Sequence, residues 1–229
     1  MNTNQLYYGD NLEILRQYIP NESIDLIYID PPFNSNQAYN AFFQEVNGSL
    51  SRAQIQAFDD TWHWNEATQE AYDDLIQTAP HQLVETVRSF CSFLGNINLM
   101  AYLVNMAIRL VELHRVLKPT GSFYLHCDPT ASHYLKIMLD QIFGVKNFQN
   151  EVIWCYKTGG ATKKRFARKH DILLFYAKNA NQMIFNTQKE KSYMMHKYGF
   201  KKSDFQEDEH GQYSRVIMKD WWEIPSVGS

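Results

Sequence analysis

The stretch Ser23-Ile24-Asp25-Leu26-Ile27-Tyr28-Ile29-Asp30-Pro31-Pro32-Phe33 decides how this chain folds. Residues 24–30 form a short apolar run closed by two prolines, which reads as a buried and parallel strand. Upstream, Leu6-Tyr7-Tyr8 reads as another strand. Asp10-Asn11 then caps a short helix that turns Leu12, Ile14, Leu15 and Ile19 inward. Strand, helix and strand in that order predict an α/β domain.

Downstream, residues 34–65 are polar and irregular, a loop long enough to be functional or mobile. Helical spacing follows over 66–78, 81–94 and 97–117, the last with Leu99, Leu103, Met106, Leu110, Leu113 and Leu117 in phase. Residues 122–127 predict the next strand. Pro129 is expected in the first turn of a helix running to Phe143, with Gly144 as its stop. Residues 152–156 and 172–176 read as two more strands, and beyond Lys178 the periodicity is too weak to assign elements.

Composition bounds the function classes. The 229 residues are 45% hydrophobic and 14% aromatic, enough for one sizeable domain, or one domain with an appendage, and too apolar for a disordered chain. No window approaches the ~20 apolar residues of a membrane span, and the start MNTNQLYYGD lacks a signal-peptide pattern. Cys91, Cys127 and Cys155 lie far apart, and the eight histidines show no ligand spacing, so neither a disulfide framework nor a metal site is expected. A reducing cytoplasm fits. The net charge of −3 conceals an asymmetry. Residues 1–150 carry 8 Lys+Arg against 16 Asp+Glu, and residues 151–229 carry 14 against 9. A basic second part points to a polyanion partner, although charge counts alone are equally met by an uneven solvated surface.

The chemistry lies at Asp30-Pro31-Pro32-Phe33. Ligands of a parallel α/β sheet bind beyond the carboxyl ends of its strands. The Asp30 carboxylate and the Pro31 carbonyl are two acceptors there, Pro32 stiffens the turn, and Phe33 offers a flat face. Two acceptors beside a stacking ring suit the exocyclic NH2 of a nucleobase. His126-Cys127-Asp128 invites comparison with a Cys–His nucleophile. Adjacent strand residues face opposite sides, so these two read as structural strand-end residues.

Asp30-Pro-Pro-Phe33 resembles the catalytic motif of amino-group (N6-adenine or N4-cytosine) DNA methyltransferases that use S-adenosylmethionine. Gly9-Asp-Asn-Leu-Glu-Ile-Leu15, Asp59-Asp-Thr-Trp62-His-Trp64, Leu113-His-Arg-Val-Leu-Lys-Pro119, the run from Gly121 to Lys136, Asn150–Trp154 and His170–Tyr176 are similar to the permuted (β) group of that family, in order from about Leu6 to Pro225. The resemblance implies a doubly wound, Rossmann-like methyltransferase sheet with a DNA-recognition appendage, the catalytic part over 1–178 and the recognition region over 179–229. It also implies base flipping, which costs a few kcal/mol. Phe33 would stack on the extruded base, while Asp30 and Pro31 turn the amino lone pair toward the methyl group. Asp10 and Asp30 are the cofactor contacts implied. Asp at position 30 leans toward adenine over cytosine.

Lys157, Lys163, Lys164, Arg165, Arg168 and Lys169 form a basic cluster with Gly159-Gly160 and Phe166 inside it. Beside a base-flipping motif, such a cluster is expected to hold the backbone of double-stranded DNA. Lys189, Lys191, Lys197, Lys201 and Lys202 extend the positive charge without naming a sequence.

The family's Gly-rich cofactor turn is not found: ten glycines include no GxG. In the permuted order that turn follows the recognition region. The chain is therefore expected to be the N-terminal part of an enzyme or one half of a split one, with a second chain supplying the turn. The edge of strand 24–30 is expected to leave Ile24, Leu26, Ile27 and Ile29 partly uncovered. A cognate restriction enzyme is a further expected partner. The competing readings are a DNA-binding remnant without catalysis, and a methyltransferase for RNA or a protein amide.

Overall fold

A computed structural model describes residues 4–31, 38–40, 56–59, 63–95, 97–156, 163–193, 201 and 204–224. In chain order the elements are α1 (Asn11–Tyr18), β1 (Ile24–Ile29), β2 (Ala38–Asn40), β3 (Gln56–Asp59), α2 (Glu66–Thr78), α3 (His81–Leu94), α4 (Asn98–Val116), β4 (Leu117–Cys127), α5 (Ser132–Phe143), β5 (Phe148–Cys155), β6 (His170–Ala177), β7 (Lys189–Ser192), β8 (Phe205–Asp208), β9 (Gly211–Ile217) and β10 (Trp221–Glu223). The main sheet has five strands in the order β1-β4-β6-β5-β10. β1 is parallel to β4, and β5 to β10, while β6 is antiparallel to both its neighbours. Four strands therefore point one way and β6 the other.

The helices form where local chemistry satisfies their ends. Asp10 Oδ1 accepts from the Leu12 amide at 2.7 Å to start α1, and Asn65 does the same for α2 through Thr68 at 2.9 Å. α3 stops at Gly95, whose φ of 69° an L side chain rarely adopts. α4 is the central helix, with Met100, Tyr102, Leu103, Leu110 and Val116 fully buried. Its end is tied on two sides. Arg115 donates to the Leu15 carbonyl of α1 at 2.7 Å, and Lys178 Nζ donates to the Leu117 carbonyl at 2.7 Å.

Strand alternation separates two faces. Ile27, Phe123, Leu125, Cys127, Ile172, Leu174 and Tyr176 share one cluster with the apolar residues of α2 to α5, and Leu12, Leu15 and Ile19 of α1 pack on its margin. Among the described residues all five helices thus lie on that face of the sheet. The opposite face carries Leu26, Tyr28, Tyr124, His126, Leu173 and Phe175. Tyr124 stacks flat on Phe175 at 4.4 Å, and Phe185 lies 6.0 Å beyond it.

The predicted helices at 66–78, 81–94 and 97–117 form within a residue of their expected bounds. Four expectations are corrected. Leu6-Tyr7-Tyr8 is not a strand: among the described residues no ladder partner reaches it, and Leu6 is fully exposed. The stretch 34–65 is not wholly irregular, since β2 pairs antiparallel with β3. α5 begins at Ser132 and not at Pro129, because Asp128 Oδ1 accepts from the Thr130 and Ala131 amides and holds a turn there. Of the apolar residues expected open along β1, Leu26 is exposed and Ile24 and Ile29 are half-buried, but Ile27 is buried against α4 and its neighbours. Past Lys178 the chain builds a three-stranded antiparallel sheet, β7-β9-β8, before β10 returns to β5. No helix of the described residues is long and apolar enough to cross a membrane.

Candidate functional site

The strand directions bring one set of residues to a single edge. Asp30 follows β1, Asp128 follows β4, Tyr156 follows β5 and Ile224 follows β10, while β6 begins there with His170-Asp171. Pro31, lacking an N–H, ends the β1 ladder at that edge. Pro32 and Phe33 lie outside the described residues.

Asp30 is met by a residue that the sequence reading had set aside. His126 Nδ1 lies 3.1 Å from Asp30 Oδ1, and its Nε2 lies 3.5 Å from Asp171 Oδ2. The Tyr28 hydroxyl is 3.4 Å from the same Nδ1, and the Trp154 ring leans on the imidazole with centroids 5.1 Å apart. His126 is 5% exposed, whereas the side chain of Asp30 is 54% exposed. Register explains the grouping. Tyr28 pairs with Tyr124, two residues before His126. His126 pairs with Leu173, two residues after Asp171. All share the face away from the helices. Cys127 faces the other side as expected, and the alternation across three strands is the signal that brings His126, unlike Cys127, beside Asp30.

The electrostatics follow from the same neighbours. Burial works against charge on the His126 imidazole, but Asp171 and Asp30 together outweigh it and raise its pKa above the ordinary value. Tyr28 is raised by burial and then by the Asp30 charge, and Tyr156 by burial and then by Asp171. Cys127 points into the helix layer, where burial first and nearby carboxylates second push its thiol well up, so it is inert as a nucleophile.

The basic cluster emerges at the same edge. Cys155 pairs with His170, and the described residues 163–169 lead into β6 at that end. Lys163, Lys164, Arg165 and Arg168 are exposed and Lys169 is half-buried, with Phe166 97% exposed among them. Lys157 lies outside the described residues. Asp10 is engaged elsewhere: besides capping α1, its Oδ2 accepts from Arg109 at 2.7 Å, and its side chain keeps 48% exposure. In the three-stranded sheet, Lys191 pairs with Asp208 and sits 4.6 Å from the Tyr213 ring centre. Lys189 and Lys201 are exposed, and Lys197 and Lys202 lie outside the described residues.

Residues 24–229 match a family model described as DNA methylase, N6_N4_Mtase. Among curated relatives, the Mod subunit of the type III restriction-modification enzyme EcoP15I of Escherichia coli is 25% identical over 182 residues, 78% of this chain and 25% of the relative. The type II methyltransferase M.KpnI of Klebsiella pneumoniae is 26% identical over 180 residues, 77% of this chain and 33% of its own. The DNA adenine methyltransferase YhdJ of Escherichia coli K12 is 23% identical over 182 residues, 79% of this chain and 43% of its own. The chain spans less than half the length of each of these relatives. Among solved structures, the cytosine-N4-specific PvuII DNA methyltransferase aligns with 97% of this chain and 57% of its own at 16% identity, with a TM-score of 0.48.

Proposed function

Since the chain belongs to the N6/N4 DNA methylase family, we propose that it serves a restriction-modification system by methylating the N6 amino group of an adenine flipped out of double-stranded DNA. The observation that carries this reading is Asp30: a carboxylate at the open edge of a parallel strand, with one oxygen 3.1 Å from His126 Nδ1 and the side chain half exposed. That oxygen geometry suits an acceptor for one amino hydrogen. The Pro31 carbonyl is the second acceptor in this proposal, and Phe33 the stacking surface. Two acceptors in the plane of the amino group turn its nitrogen lone pair out of that plane, which is positioning in the sense that lowers a barrier without covalent chemistry. Asp10 and Asp30 are the proposed contacts to S-adenosylmethionine, which supplies an electrophilic methyl group when bound. Both keep exposed carboxylate, which fits the cationic and hydroxyl-bearing groups of that cofactor. Those are the groups for which the described residues of this chain offer partners.

In this reading residues 1–178 are the catalytic part and 179–229 the recognition part, with β10 as the strand that rejoins the main sheet. Lys157, Lys163, Lys164, Arg165, Arg168 and Lys169 hold DNA phosphates. A restriction subunit and a second chain bearing the Gly-rich cofactor turn are the proposed protein partners, and the cytoplasm the proposed compartment. Aspartate at position 30 and the adenine-specific name of one relative support adenine.

The test is nucleoside mass spectrometry of DNA from cells carrying the complete locus, with wild-type protein or Asp30→Asn. N6-methyladenine that disappears with Asp30→Asn, while the purified variant still binds DNA, is the expected result. N4-methylcytosine in its place would overturn the adenine assignment, and no modified base at all would overturn the activity.

A further inference from the structure

A carboxylate with half its surface in water has several rotamers open to it, yet orienting an amino group needs one of them. The neighbour able to impose that choice is His126. Its ring is buried, is flanked by Trp154, and presents each nitrogen to a different carboxylate oxygen, 3.1 Å away at Asp30 and 3.5 Å away at Asp171. Both nitrogens are donors only in the imidazolium form. A buried cation with a carboxylate near each nitrogen is attracted from both sides, which favours keeping such a charge.

We infer that His126 is a positioning residue: its Nδ1–H fixes the Asp30 carboxylate so that the oxygen it does not hold faces the target amino group, while Asp171 braces the ring from behind. This rests on the function proposed above and extends it to a line of three groups across β1, β4 and β6. The groups facing the ring from the elements packed on it are Tyr28 and Asp30 from β1 and Asp171 from β6. Trp154 and, behind Asp171, Tyr156 come from β5, and Asp128 follows on its own strand. The acidic members outnumber any cation in this set, so the imidazolium persists above the pH at which an ordinary histidine loses its proton. Methyl transfer is therefore expected to decline on the alkaline side as His126 deprotonates.

The first readout needs no turnover. An NMR titration of the His126 ring in the full chain should give a midpoint above that of an exposed histidine. Asp171→Asn and Asp30→Asn should each lower it. A midpoint at or below the ordinary ~6.5, unmoved by either substitution, would overturn the inference. The second readout is kinetic, in the complete methylating system. His126→Gln should lower kcat on the order of tenfold or more, leave the KM for DNA within about twofold, and remove the alkaline limb of the pH profile. Asp171→Asn should move that limb to lower pH. Equal losses in kcat and affinity, or an unmoved pH profile, would count against positioning. If His126→Gln does not fold, Asp171→Asn keeps the ring in place and carries the same test. The two proposals fail separately. Methylation surviving Asp30→Asn sinks the functional reading, whereas methylation lost with Asp30→Asn but untouched by His126→Gln sinks the role of His126 alone.

Discussion

The amide of Tyr156 donates to the carbonyl of Lys169 at 3.1 Å, and this bond closes a neck between the ends of β5 and β6 just beyond the Cys155↔His170 pair. The exposed cations beyond the neck stand at the same edge as Asp30. Replacing Lys163, Lys164 and Arg165 together with Gln should weaken binding to DNA of any sequence alike, and flatten the salt dependence by about one unit of slope per lost phosphate contact. Fluorescence anisotropy over a salt series, with two unrelated duplexes, measures both. A loss confined to one duplex would mean that the cluster reads bases.

His114 supplies an acid-sensitive term. Its ring meets the edge of Phe143 at 4.7 Å. Burial first and the Lys178 charge second lower its pKa to about 4, against the opposing pull of Glu22. The unfolded chain takes up a proton here near pH 6.5 and the folded chain only near pH 4, so stability falls as pH drops through that window, by roughly 2–3 kcal/mol. His126 has the opposite sign. Its contribution is full below about pH 6.5 and is lost as pH rises through its raised folded value. Urea unfolding at about pH 4.5 and about pH 7 should show a smaller acid loss in His114→Gln than in the wild type.

Gly121 lies at the irregularity in the β1–β4 ladder, where the register jumps from Ile24↔Leu117 to Leu26↔Ser122. A Cβ there would stand 2.7 Å from Leu117 Cδ1 and 3.0 Å from the Asp25 carbonyl. The second neighbour is backbone and cannot swing aside. Gly121→Ala should cost about 1–3 kcal/mol, read as a fall in Tm, and an unchanged Tm would show that the ladder irregularity has room for a methyl group.

β1 ends the main sheet on one side, with Leu26 60% and Tyr28 51% exposed. Beside it an apolar groove of about 290 Å³ is lined by Ile14, Leu15, Ile19, Ile29 and Leu113. An open strand with apolar flanks recruits further chain. Light scattering should show concentration-dependent association of the wild type that Leu26→Lys reduces. Equal association in both would place the contact elsewhere.

The sequence was legible where a pattern is local. Leu75, Leu83, Val87, Leu103 and Leu110 recur at helical spacing, and the helices carrying them form where that spacing puts them. The apolar run ending at Asp30 formed β1, parallel to β4 as expected, but it is not the buried strand its composition predicts: it ends the sheet and buries only Ile27. Leu6–Tyr8 has strand-like composition, but a strand exists only with a partner, and composition does not state one. β7 to β9 escaped notice because Lys189-Glu-Lys-Ser192 and Phe205-Gln-Glu-Asp208 are short and mostly polar, held by ladders more than by burial. His126 escaped for a related reason. Its partners lie 96 residues upstream and 45 downstream by position, and only the register of three strands brings them to one place.

The reversed strand β6 has a consequence for how this chain tolerates change. Because β6 starts at the edge that carries Asp30, Asp171 sits just inside the neck, and the ladder from Phe148↔Tyr176 to Cys155↔His170 fixes its register independently of what lies beyond. A one-residue slip in that ladder would swing Asp171 to the other face, but residues added to or removed from 157–168 are absorbed before the ladder begins. In the proposed function, the segment that would hold DNA phosphates can therefore be lengthened, shortened or rewritten by mutation while the carboxylate behind the imidazole stays where it is. Inheritance can act on the two separately: the strength of the proposed phosphate contact is free to drift in a segment whose editing leaves Asp171 in register.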